Sequence, residues 1–247
     1  MPRLAILIIL PLLLAASAVA QRPARADAMV TRWAEQQRAA YEAANRIAFV
    51  ESVNLEVETA HFHRHMLIVQ HVERGAEGTT RRIERAEVDG EGVGPEVIER
   101  ITQRMERVHG TDLEAAGRVA DLPPHHLARM RASGPLVADR LDGRPVWRAD
   151  MKPPRRQRHI DGATLWFARA PGPLVLVRSE VLLQGDSPDA RFTVTTDHRT
   201  VAGPAGALSV PVRQRVQGVM QHQRRWRTFS VLLTRVRTFD ELRVEWR

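Results

Sequence analysis

The strongest constraint on the fold is the alternation of apolar and polar residues through the second half of the chain. Two series of apolar residues are spaced by even numbers of positions: Val175, Val177, Val181 and Leu183, and then Leu208, Val210, Val212, Val216 and Met220. Successive side chains of a β-strand point to opposite faces, so each series predicts a strand with one buried face. Short turn sequences separate the runs, among them DGR at 142–144, PGP at 171–173 and AGPAGA at 202–207. We therefore expect an antiparallel meander with one covered and one solvated face.

The segment ahead of these strands begins with a helical period. From Asp27, a predicted N-cap, the residues Met29, Trp33, Ala40, Tyr41, Ala44 and Ile47 recur at helical spacing. Ile47, Phe49, Val53, Leu55 and Val57 then alternate with polar residues, which predicts a first strand, and two further strands follow. A stripe that starts after Pro95 predicts a helical insertion at about 95–133. The predicted class is α+β: one large antiparallel sheet with an N-terminal helix and inserted helices that cover one face.

The first twenty residues, MPRLAILIILPLLLAASAVA, have the pattern of a cleavable secretory signal peptide. We expect cleavage before Gln21, a periplasmic product, and a single domain over 21–247. The sequence contains no cysteine, which excludes a disulfide, a thiolate nucleophile and the lipid-accepting cysteine of a lipoprotein. The 37 basic residues are scattered among 29 acidic ones, so we expect no nucleic-acid partner.

Three segments of the second half resemble a known family. They are LDGRPVWRADMKP, ATLWFARAPGPLVLVRSEVLL, and ARFTVTTDHRTVAGPAGALSVPVRQRV, which contains Asp197, Arg199, Gly203 and Pro211. With the preceding helix and strands, their order is similar to that of the LolA/LolB-like periplasmic lipoprotein carriers. The resemblance implies an incomplete barrel, a half-barrel whose concave face is covered by helices and holds acyl chains of lipoproteins or another lipid.

The candidate ligand-binding residues are the apolar ones that such a concave face would present. They are Phe49, Val53, Val175, Val177, Val181, Leu183, Leu208, Val210, Val212 and Val216. An ordinary packed core would show the same alternation, so the sequence leaves a hollow and a filled interior open. The basic loop at 152–159 is a candidate contact for an anionic membrane surface or an envelope protein, or simply a solvated loop.

His61, His63 and His65 occupy alternate positions in TAHFHRH and raise the possibility of a metal site. A hairpin about Thr59–Ala60 would pair Glu58 with His61 and Glu56 with His63, which makes a polar ladder on the wet face. Thr-Ala is a poor two-residue turn, so a four-residue loop, which keeps the same faces, or a three-residue loop, which does not, is also open. Zinc bound by His61, His63 and Glu56, and a pH-sensitive switch, are the alternatives that we weigh against this ladder.

The sequence lacks a G-x-S-x-G elbow, a phosphate-binding glycine loop and a dinucleotide fingerprint. We therefore expect no catalysis and no cofactor. The resemblance to the lipoprotein carriers implies an exported binding protein that sorts lipoproteins or carries lipid. The alternatives are an envelope-stress regulator with the same fold and, less favoured, a metal-binding envelope enzyme.

Overall fold

The computed structural model describes residues 25–75, 77–100, 130–153, 160–170, 173–184, 190–224 and 227–247. The signal-peptide pattern, most of the predicted insertion and most of the basic loop lie outside these residues. Helix α1 occupies residues 25–43, and residues 95–100 are also helical. No helix in these ranges is both long enough and apolar enough to cross a bilayer.

Twelve strands form one antiparallel sheet in the order β4-β3-β2-β1-β12-β11-β10-β9-β8-β7-β5, with β6 paired to β7. The strands are β1 Ala44–Glu58, β2 His63–Gly75, β3 Gly78–Val88, β4 Glu91–Gly92, β5 Arg131–Ala132, β6 Val137–Leu141, β7 Arg144–Lys152, β8 Ile160–Ala168, β9 Leu176–Gln184, β10 Arg191–Gly203, β11 Gly206–Arg224 and β12 Arg227–Trp246. The predicted antiparallel meander is confirmed. The first three strands join it through β1, which pairs with the last strand, β12.

The end of the chain differs from the prediction. The sequence from residue 226 predicts one strand over WRTFSVLLTRVRTF and a separate final strand over LRVEW, but β12 runs without interruption for 20 residues. Glu241 lies within it at φ 50°, opposite a register shift between Ala48 and Val50 of β1. This irregularity bends the strand locally instead of ending it.

Helix α1 lies against one face of the sheet, which we call the inner face. Its buried residues are Ala26, Val30, Trp33, Ala34, Gln37 and Ala40. The Trp33 ring meets the Phe167 ring of β8 edge-on, with the two centroids 5.6 Å apart. Tyr41, which the helical period placed on the buried side, is instead 46% exposed.

Polar side chains attach α1 to the sheet at two places. Asp27 lies inside the helix instead of capping it, and its Oδ1 accepts a hydrogen bond from the Ala132 N–H of β5 at 2.5 Å. Further along, the Gln37 amide donates to the Ala207 carbonyl at 2.9 Å and accepts from the Ser209 N–H at 2.6 Å. Ala207 and Ser209 precede the part of β11 that pairs with β12, so Gln37 satisfies backbone groups that a neighbouring strand would otherwise satisfy.

Candidate functional site

The predicted ligand-binding residues do not form one continuous hollow. Val181, Leu183 and Val216 belong to a large buried cluster that includes Trp33 and Phe167. Phe49, Leu208 and Val210 belong to a second, smaller cluster with Phe239. Val53, Val175, Val177 and Val212 are half-buried and lie in neither cluster. The residues of the two clusters therefore pack as interior, with α1 in place of an open cavity.

A bulge explains the position of Val175 and Val177. The pairing of β8 with β9 shifts between Trp166 and Phe167, so that Phe167 lies opposite Leu176. Leu176 is fully buried in the large cluster, whereas the two valines on either side of it are only half-buried. The strict alternation that the sequence suggested for 175–183 is therefore wrong at its beginning.

A row of buried polar side chains separates the two clusters. Glu51 of β1 accepts a hydrogen bond from Gln70 Nε2 of β2 at 2.6 Å and forms an ion pair with Arg237 of β12. Arg237 donates to Gln214 Oε1 of β11 at 3.3 Å, and Gln214 donates to Thr196 of β10 at 3.3 Å. We call Gln70, Glu51, Arg237, Gln214 and Thr196 the polar row. It crosses five neighbouring strands on the inner face.

The sequence analysis missed the polar row, although one signal was present. Glu51 lies between Phe49 and Val53 on the face of β1 that is otherwise apolar, and it is 1% exposed. Arg237 lies on the same face of β12 as Leu233 and Phe239 and is 6% exposed. A buried charge needs a hydrogen-bonded partner, so a lone acid in an apolar series predicts a partner from another strand.

Beyond the polar row, the inner face of the sheet is open at its β3 edge. Val53 of β1 pairs with Ile68 of β2, and Ile83 of β3 pairs with the neighbouring Gln70. Val53, Met66 and Ile68 are half-buried, and Ile83 is 40% exposed. We call Val53, Met66, Ile68 and Ile83 the open strip, because these apolar side chains retain solvent contact on the face that α1 covers elsewhere.

Two grooves lie elsewhere on the described residues. A groove of about 310 Å³ runs along α1 and is lined by Ala28, Met29, Arg32, Gln36 and Leu174. A groove of about 460 Å³ includes Phe49, a predicted ligand residue, but much of its lining is charged, including Arg46, Glu73, Arg82 and Arg243. The second groove is thus too polar to be the predicted acyl site.

The histidine-bearing hairpin has a register different from the predicted one. Its loop has four residues, so Glu58 pairs with His63 and Glu56 pairs with His65. His61 lies in the loop, and His61, His63 and Glu56 are all exposed. His65 Nε2 lies 2.6 Å from Asn54 Oδ1. Because the shift is by two residues, the histidines still share a face with the carboxylates. Within the described residues, no three His, Asp or Glu side chains are close enough to hold a metal ion.

His198 is half-buried as a residue, but its ring nitrogen Nδ1 is buried, and the sequence did not predict this polar site. Its Nε2 lies 3.2 Å from Ser179 Oγ, and its Nδ1 is buried without a hydrogen-bond partner among the described residues. Burial lowers the pKa of His198 to about 4, and the nearby charge of Asp197 offsets only part of this effect. Asp197 is itself held by Arg178, whose Nε lies 2.5 Å from Asp197 Oδ1. The imidazole is therefore neutral at physiological pH.

Comparison with known proteins gives matches among solved structures only; no family model and no curated protein matches the chain. One match is a DUF1329 family protein from Desulfovibrio piger, with 8% identity, 91% of this chain and 93% of that chain covered, and a TM-score of 0.43. Another is described as an outer membrane lipoprotein-sorting protein domain from Vibrio parahaemolyticus, with 11% identity, 89% and 93% coverage, and a TM-score of 0.43. A third comes from the MucA/MucB complex of Pseudomonas aeruginosa, with 14% identity, 90% and 100% coverage, and a TM-score of 0.22.

The lipoprotein-sorting proteins, which the sequence resembles, are thus represented among the matched structures. With identities of 15% or lower and TM-scores below 0.5, the likenesses carry no argument about function.

Proposed function

We propose that this chain is an exported, non-catalytic binding protein that holds an acyl chain of a lipid or lipoprotein on the open strip. The observation that carries the proposal is the contrast along the inner face. Apolar residues of β8–β11 such as Leu165, Val181 and Val216 are buried under α1, whereas Ile83 at the other end is 40% exposed. An apolar surface left open beside a completed core supports a binding role.

The chemistry of the open strip suits a hydrocarbon chain. Its four side chains are aliphatic or thioether groups from three adjacent strands, and methionine adapts its shape to flexible ligands. Burial of a ligand methylene contributes about 0.8 kcal/mol, so an acyl chain gains affinity from a shallow apolar surface without specific hydrogen bonds. The signal-peptide pattern of residues 1–20 supports a periplasmic location, where lipids and lipoproteins are available.

A titration with a fluorescent acyl probe tests this proposal. We expect saturable binding by the parent protein and at least about tenfold weaker binding by Ile68→Asp, because the variant places a charge where the acyl chain lies. The matched control is Leu232→Asp, since Leu232 is 42% exposed on the outer face of β12. This control should bind the probe as the parent does.

Circular dichroism should show that both variants are folded, since neither position is fully buried. Equal probe affinities for the two variants, or no saturable binding by the parent protein, would show that the open strip is not the ligand site.

A further inference from the structure

Strand β3 forms an exposed edge of the sheet. The two-residue strand β4 pairs only with Glu87 and Val88 of β3. No other strand in the described part of the chain lies beyond residues 78–85, and every one of these residues is exposed. A strand edge of this kind presents unpaired N–H and C=O groups and is a ready template for another strand.

The side chains on this edge have a self-complementary order. Ile83, 40% exposed, lies between Arg82 and Glu84. Within the chain, Glu84 Oε1 lies 2.9 Å from His71 Nε2 of β2 and 3.6 Å from the Arg82 guanidinium. Both the Arg82 and the Glu84 side chains remain substantially exposed. Charged residues usually protect an edge from pairing, but opposite charges two positions apart can also select a partner with the same sequence in the reverse direction.

Symmetry restricts how two copies of β3 can pair. Two antiparallel strands of the same sequence can be related by a two-fold axis perpendicular to the sheet. The axis then lies midway between the two copies of one residue, which face each other. Axes at Arg82 or at Glu84 would place like charges opposite each other. An axis at Ile83 places the two isoleucines in contact and sets Arg82 opposite Glu84 of the second copy, twice.

A bulge removes the remaining like-charge contact in this register. Pairing of β3 with β2 shifts between Val69 and Gln70, so Ile83 lies opposite Gln70 whereas Arg85 lies opposite Val69. Gln70 is on the inner face and Val69 on the outer face. Arg81, opposite Val72, is on the inner face, so Arg81 and Arg85 of the second copy would lie on opposite sides of the joined sheet.

We propose that the protein forms a dimer in which β3 pairs antiparallel with β3 of a second copy about a two-fold axis at Ile83. The two sheets are then joined by main-chain hydrogen bonds over residues 82–84 of the two copies, where the pairing is regular, and by two Arg82 to Glu84 ion pairs on the outer face. This proposal does not depend on the proposed function.

The absence of cysteine from the sequence permits a direct cross-linking test. In the variant Ile83→Cys the introduced thiols face each other across the axis, and facing residues of antiparallel strands have Cα atoms about 4.5 to 5.5 Å apart, within disulfide range. Mild oxidation of the purified protein should give a disulfide dimer rapidly. The control Arg82→Cys should not, because its two copies are offset by two residues, about 8 Å apart.

Charge exchange gives an independent readout. Light scattering across a wide concentration range should show that Arg82→Glu and Glu84→Arg each weaken the dimer at least about tenfold, since each puts like charges opposite each other twice. The double variant should restore it, because the opposite charges meet again in exchanged positions. The proposal would be overturned by any of three results: equal cross-linking of both cysteine variants, a parent protein that is monomeric at all concentrations, or a double variant that does not restore the dimer. If the parent protein is monomeric, a different protein would be the candidate partner of the β3 edge.

Discussion

Replacing Arg237 by methionine is expected to lower the free energy of unfolding by about 3 to 5 kcal/mol, because the change leaves the Glu51 carboxylate buried without its cation. Glu51 is 1% exposed, and among the described residues it keeps the hydrogen bond from the amide of Gln70. Gln214 Oε1 also loses a donor. Chemical denaturation followed by circular dichroism measures the effect.

Two further variants distinguish the effect of losing the buried ion pair from the effect of losing an arginine of β12. Arg243 lies in the same strand but is exposed, so Arg243→Met should change the free energy of unfolding by no more than about 0.5 kcal/mol. The double variant Arg237→Met with Glu51→Leu removes both buried charges and should recover most of the lost stability. If Arg237→Met were as mild as Arg243→Met, the polar row would not be the buried network described here.

Acidification from pH 6.5 to pH 4 is expected to remove up to about 3 kcal/mol of stability through His198 alone. The unfolded chain protonates this histidine below its ordinary pKa of 6.5, whereas burial lowers the pKa of His198 to about 4 in the folded protein. Between these values the unfolded state binds more protons, so the free energy of unfolding falls as the pH falls. Above pH 6.5 both states are neutral and this contribution is constant.

The variant His198→Gln should show a flatter pH dependence over the same interval, because it has no imidazole to protonate. Thr200→Gln is the matched control, since Thr200 is an exposed, non-titrating residue of the same strand and its replacement should leave the pH dependence of the parent protein unchanged. Denaturation curves at several pH values give the comparison. Parallel curves for His198→Gln and the parent would contradict the assignment of the acid sensitivity to His198.

The sheet was predictable because its signal is local. Alternating residues within β10 and β11 indicate a strand whatever the rest of the chain does, and turn sequences such as DGR mark the hairpins. Bulges were not predictable in the same way. The shift that buries Leu176 in place of Val177 depends on Phe167 of the neighbouring strand, and a single strand carries no trace of it.

The polar row was harder to predict because it depends on pairing between distant parts of the sequence. Glu51 and Arg237 are 186 residues apart and become partners only because the first strand of the sheet pairs with the last. The division of the predicted site into two packed clusters and an open strip follows from the same pairing. The sequence could indicate which side chains face inward, but the position of α1 decides which of them remain accessible.

Photolabelling would show whether the open strip binds an acyl chain. A fatty acid that carries a diazirine would be bound, irradiated, and located by mass spectrometry of the digested protein. We expect saturable labelling of β1–β3, centred on Val53, Met66, Ile68 and Ile83, and competition by unlabelled fatty acid. Labelling confined to β8–β11, or labelling that competitor does not reduce, would contradict the account.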